Sequence, residues 1–188
     1  MSAVRLLVLG AVRRRGRTHG YQVRADLESW GAHEWARATS GSVYHALKAL
    51  TRNGLLVVHD STPSAAGGPP RVEYEITEAG DAEYLASLRT ALAHRDPRLD
   101  VLAAAVGLIE DLPRAEAIGL LRDRATELAR WRASITAELP SGTDLDTWGP
   151  VGAVVGLWLD TADSRTAWTN GLIERLESGA FRMADESV

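Results

Sequence analysis

Apolar positions along the first fifty residues repeat every three to four places, the period of a helix with one side on a core. Val4, Leu7, Val8, Ala11 and Val12 predict a first helix over 3–14. The arginines at its end lie where the helix dipole favours cations, and Gly16 breaks it. Val23, Leu27 and Trp30 predict a second helix over 21–30, ended by Gly31. A third opens at Thr39 or Ser40, either of which offers a hydroxyl to a first-turn N–H. Val43, Leu47 and Leu50 then fall on one side, and Ser42, His45, Lys48 and Arg52 largely on another. Asn53-Gly54, two residues that tolerate positive φ, closes this helix. The period then changes to two. Leu and Val over 55–59 predict one strand. Val72, Tyr74 and Ile76, alternating with Glu73, Glu75 and Thr77, predict a second. The intervening run STPSAAGGPP (61–70) has neither period and reads as a long hairpin tip. Three helices followed by such a hairpin make a winged helix-turn-helix.

Beyond Thr77 the pattern is helical throughout. Tyr84, Leu85, Leu88 and Leu92 mark a helix that Pro97 ends. Leu99, Leu102, Val106 and Ile109 mark another, ending near Pro113. From 114 to 139 the apolar residues Leu121, Ala125, Leu128, Trp131, Ile135 and Leu139 hold helical spacing for five turns. Pro140, Gly142 and Asp144 form a loop, and a final helix covers 147–177. The expected fold is therefore mainly α with a β wing. Residues 1–95 are expected to hold the winged helix and a linker helix, and 96–188 an all-helical second domain.

The chain has 188 residues, 45% of them apolar, enough for an ordinary core. No apolar run approaches the roughly 18 residues that cross a bilayer. Most of the N-terminal positive charge follows the apolar stretch, which reads as a buried helix rather than a signal peptide. Cysteine is absent, which excludes disulfides, thiol catalysis and thiolate-bound metal, and fits a cytoplasmic protein. The net charge of −4 conceals an asymmetry. Residues 1–77 carry ten basic and six acidic side chains, net +4; residues 78–188 carry eleven and nineteen, net −8. Only the N-terminal half is suited to a polyanion. The five histidines (His19, His33, His45, His59 and His94) show no metal-ligand spacing, and there is no phosphate loop or nucleophile elbow. Asp160 and Asp163, one turn apart, read as solvated helix carboxylates. No catalytic residue, metal or cofactor is expected, and the chain does not read as an enzyme.

Three stretches together resemble the PadR family of bacterial transcriptional regulators: HGYQ at 19–22, TSGSVYHALKALTRNGL at 39–55 and RVEYEITEAG at 71–80. The later LLRDRATELARWRASI is similar to the helical C-terminal region of the family's larger members. The resemblance implies a homodimer whose recognition helices enter successive major grooves of double-stranded DNA, roughly 34 Å apart, on a palindromic operator. It implies that Tyr21 and Tyr44 touch the DNA backbone, hydroxyl to phosphate with the ring packed. Ser42 and His45, early on the exposed face, would reach base edges. Lys48 and Arg52 are placed for phosphates, Thr39 begins the recognition helix, and Arg71 opens the second wing strand. The chain departs from the family pattern at Val72 and Glu73, where a basic residue and an aromatic are usual, so the third helix is expected to do most of the binding. Ser40 stands where proline is typical, a small change at a first helical position. Arg13, Arg14, Arg15 and Arg17 form the densest basic run and read as a solvated face or as DNA contacts. Among six tryptophans, Trp131 lies on the apolar stripe. Trp148, Trp158 and Trp168 read as packing or as a pocket for a small aromatic effector. The sequence is thus read as a repressor. A protein-interaction module without a DNA ligand, favoured by the acidic C-terminal half and by Glu73 and Glu75, and a transcriptional activator remain as alternatives.

Overall fold

The computed structural model describes residues 1–60, 72–95 and 98–186. Arg71, Pro97 and the 61–70 run lie outside the described residues. Packing divides the chain into two units. One is Met1–Ala91 with Asp96–Ile109, and the other is Leu92–Arg95 with Glu110–Val188.

In the first unit α1 (Ala3–Arg15) is capped by Ser2, whose Oγ accepts from the Arg5 N–H at 3.4 Å. Leu6 and Leu9 are buried along with Leu7, Val8, Ala11 and Val12, so the apolar surface is wider than the single stripe expected. The reason is that α1 is central and has neighbours on several sides. It packs against α2 (Gly20–Ser29), α4 (Ser40–Arg52), α6 (Leu99–Gly107) and strand β3 (Val72–Ile76). Two short elements were not expected: β1 (Thr18–His19) and the single-turn α3 (Ala32–Trp35). Neither is long enough to show a period. The sheet order is β1-β3-β2, with β2 at Leu56–Asp60 and all pairs antiparallel. Tyr74 stands opposite both Thr18 and Val58, and Glu73 opposite both His19 and His59. The wing hairpin is therefore extended by a strand from the α1–α2 connection.

Helix α5 (Glu78–Ala93) follows β3. Thr77 precedes it and fastens it to the end of α4. Its hydroxyl donates to the Gly54 carbonyl at 2.7 Å and accepts from the Gly80 N–H at 3.0 Å, and its own N–H donates to the Leu55 carbonyl at 3.2 Å.

The second unit is built on α7 (Arg114–Ala137) and α8 (Pro150–Glu177), packed along their length. Ion pairs Arg122–Glu177 (2.7 Å) and Arg132–Asp163 (2.5 Å) show that they run antiparallel. Leu121 and Leu128 of α7 and Ala162, Leu172 and Leu176 of α8 are buried, whereas Ile135 and Leu139 are only half-buried. The last helix does not begin at residue 147. Leu145–Trp148 is a 3₁₀ turn, Gly149 has φ +54°, and Pro150 then occupies the first helical position, which suits its fixed φ. Arg114 binds the C-terminal segment by donating to the carbonyls of Leu176, Ala180 and Phe181. Glu127 of α7 accepts from the Arg95 N–H (2.8 Å) and the His94 ring (2.9 Å), and these bonds hold its carboxyl below the ordinary value. Trp131 lies beneath the Arg95 guanidinium, 4.4 Å from carbon to ring centre. No helix of the described residues is long and apolar enough to cross a membrane.

Candidate nucleic-acid interface

Helix α4 separates its two sides sharply. Val43, Ala46, Leu47 and Leu50 are buried, while Tyr44, His45, Lys48 and Arg52 are exposed. Thr39 caps it: its Oγ1 accepts from the Ser42 N–H at 3.3 Å. Replacing Thr39 with alanine removes this bond and is expected to lower stability by about 1 kcal/mol. Urea unfolding checks it, with Thr39→Ser close to wild type; an unchanged midpoint for the alanine variant contradicts the cap. The Ser42 hydroxyl is engaged in the same turn, against the carbonyls of Thr39 (2.9 Å) and Arg37 (3.2 Å). A base edge competes with those bonds for it. His45, Lys48 and Arg52 form no hydrogen bond or ion pair with the described residues, so their polar ends face outward uncommitted.

The three sequence stretches meet beside this face. The Tyr44 ring lies on Gly20: a side chain there would bring its Cβ to 2.8 Å from the Tyr44 ring. A glycine at the start of α2 thus lets the aromatic of α4 settle onto backbone. Tyr21, 49% exposed, stacks on His19 with ring centres 5.4 Å apart. Burial pushes the Tyr74 phenol above its ordinary value, and neighbouring Tyr44 adds to the shift. Tyr44 is 39% exposed, so both candidate backbone-contacting tyrosines rest on packing while part of each ring stays open.

The arginine run is arranged differently. Arg13 pairs with Asp81 (2.6 Å), Arg15 holds Asp26 through two bonds of 2.5 and 2.6 Å, and Arg17 reaches Glu75 (3.4 Å). Arg14 lies over the Trp30 ring. The wing glutamates are answered in the same way: Glu75 meets His59 at 2.7 Å as well as Arg17, and Glu73 stands 3.6 Å from His19. Charges that looked available in the sequence are in these cases matched inside the fold. Arg37, not singled out from the sequence, is exposed just before the start of α4 with φ +54°. It forms no ion pair with the described residues.

Residues 8–86 match the profile of the family described as Transcriptional regulator PadR-like. Over this stretch the chain is similar to PadR-like transcriptional regulators. The family that this profile describes is one of transcriptional regulators. The profile spans α1 from its second turn through the first half of α5, so it contains α4 and the wing strands. No curated protein matches the chain. Among solved structures, Bacillus subtilis PadR in complex with operator DNA is 18% identical over 92% of this chain and 98% of that one, with a TM-score of 0.42. The same protein with p-coumaric acid is 18% identical over 93% and 99%, with a TM-score of 0.39. A PadR-like transcriptional regulator from Bacillus cereus is 16% identical over 93% and 98%, with a TM-score of 0.37.

In the second unit Trp148 and Trp158 line one cleft of about 280 Å³ with Ile135, Leu139, Val155 and Glu138. Trp168 does not line it. Among the described residues no group of three or more His, Asp or Glu is placed to hold a metal ion.

Proposed function

We propose that the protein is a cytoplasmic, sequence-specific DNA-binding repressor that occupies a palindromic operator as a homodimer. Residues 1–95 bind the DNA, and residues 96–188 dimerise and receive an effector. The observation that carries this reading is the exposed face of α4. Lys48 and Arg52 project there without carboxylate partners among the described residues, while Arg13, Arg15 and Arg17 are neutralised internally. Cations kept free of internal partners on one helix face suit phosphates, and His45 beside them suits base edges. Tyr21, Tyr44 and Thr39 add contacts at the margin of this face, and Ser42 adds one when its hydroxyl exchanges its bonds to the Thr39 and Arg37 carbonyls for a base. Arg71, at the start of the second wing strand, is proposed as a further contact.

Val151, Val154, Leu157 and Trp158 of α8, 62, 44, 63 and 47% exposed, form an apolar side that supports self-association. The Trp148–Trp158 cleft suits a flat aromatic ligand, and Trp168, exposed further along α8, is proposed as a lesser contact. Titration with p-coumaric acid, followed by tryptophan fluorescence, tests this. Saturable quenching lost in Trp158→Ala supports the cleft, and quenching unchanged in that variant removes it. The interaction-module alternative drew on the acidic C-terminal half and on Glu73 and Glu75, and the partners Arg17, His19 and His59 weaken the part that rests on the glutamates. Binding of a random-sequence duplex pool at low and moderate salt tests the DNA function. Retention that falls steeply with salt is expected, and no retention at either salt would return the reading to a protein-interaction module.

A further inference from the structure

We infer that Arg5, on the first helix, is a phosphate-binding residue of the DNA interface, acting across a groove it shares with Arg52 and His45 of the recognition helix. The inference rests on the proposed DNA function and extends it to an element outside the helix-turn-helix pair.

The groove holds about 670 Å³ between the first turns of α1 and the outer side of α4. Its polar lining comes from Ser2, Arg5, Ser42, His45, Arg52 and Asn53, and no carboxylate among the described residues contributes. Two guanidiniums and an imidazole face one opening, so its field favours an anion. The opening adjoins the side of α4 that carries the candidate base contacts, and a duplex backbone is the polyanion that would pass there.

Arg5 itself supplies the second observation. It is only partly exposed, and its Nε is shut off from solvent with no hydrogen-bond partner among the described residues. The arginines at the other end of α1 are occupied: Arg13 and Arg15 by aspartates and Arg14 by an aromatic ring. Arg5 has no such partner among the described residues. A guanidinium with part of its hydration already lost gives up less water when it takes phosphate oxygens. Its Nε is already enclosed, so less side-chain freedom is lost on binding. In the free protein the buried Nε–H is a cost to stability, and the terminal nitrogens are the ones left to meet phosphate oxygens.

The test is fluorescence anisotropy of the full-length protein on one labelled duplex, taken from the pool that wild type retains, across a salt series. Arg5→Gln is expected to bind about tenfold more weakly at 0.1 M salt. Its plot of log affinity against log salt should be shallower by roughly 0.9, the value for one phosphate contact. Arg5→Lys should keep the slope and part of the affinity. Circular dichroism confirms the fold of each variant, and Arg122→Gln, in the second unit, controls for loss of charge alone. Slope and affinity unchanged in Arg5→Gln, with wild type binding normally, would overturn this inference and leave the DNA function standing. A wild type that binds no duplex would instead overturn the DNA function, and the role of Arg5 with it.

Discussion

Replacing Gly80 with alanine is expected to destabilise the N-terminal unit by about 3 kcal/mol, the upper part of the range for overpacking. Gly80 lies in the first turn of α5 against the chain leaving α4. A Cβ there would stand 2.0 Å from the Leu55 carbonyl oxygen, 2.9 Å from the Leu55 carbonyl carbon and 2.9 Å from Ile76 Cγ1. Two of those atoms are backbone, so no side-chain rotation relieves the overlap. The carbonyl is also fixed, because it accepts from the Thr77 N–H, and Thr77 bonds Gly54 and Gly80 as well. Separating α5 from this turn would break the two bonds that Thr77 makes to Gly54 and Leu55. The junction joins the recognition helix, the wing and α5, so DNA affinity should fall with the folded fraction. Urea unfolding by circular dichroism measures the effect. A loss below about 1 kcal/mol would show that the junction yields far more easily than close packing permits.

The largest expected effect on binding is that of removing Lys48 and Arg52 together. Each cation leaves an uncommitted charge on the exposed side of α4. If each contacts one phosphate, the Lys48→Ala/Arg52→Ala double variant loses roughly 1.8 from the salt slope. At about tenfold per charged contact, it binds about a hundredfold more weakly at 0.1 M salt. The loss should be nearly the same for every sequence, because phosphates carry no sequence information. Arg15→Ala is the informative comparison. Arg15 is engaged by Asp26, so its removal should leave the slope almost intact. An anisotropy salt series on all three proteins decides between them. A steep slope retained by the double variant, or a larger change in Arg15→Ala, would relocate the binding face to the end of α1.

The long elements were legible in the sequence because their periods run through several turns. Helix α1 and helix α4 lie within a residue or two of where the pattern puts them, and Thr39 caps α4 as its hydroxyl suggested. The two-residue β1 and the one-turn α3 were not legible, since two to four residues carry no period. Charge was the more deceptive signal. Arg13 to Arg17 formed the densest basic run in the sequence, yet Asp26, Glu75 and Asp81, from 11 to 68 positions away, take up three of them. Pairing at such separations depends on the fold and leaves no local trace. Arg5, isolated among leucines and valines, gave no sign of facing a groove. The tryptophans divide for a related reason: Trp148 and Trp158 meet only because the Leu145–Trp148 turn folds back on α8.

The central claim is that the N-terminal unit reads DNA sequence as a pair. Repeated selection of bound duplexes from a random pool by the purified protein, followed by sequencing at low and moderate salt, tests it most directly. Enrichment of an inverted repeat with half-sites about one helical turn apart is the predicted result. Retention without enrichment at either salt would contradict it, reducing the α4 face to a non-specific electrostatic contact.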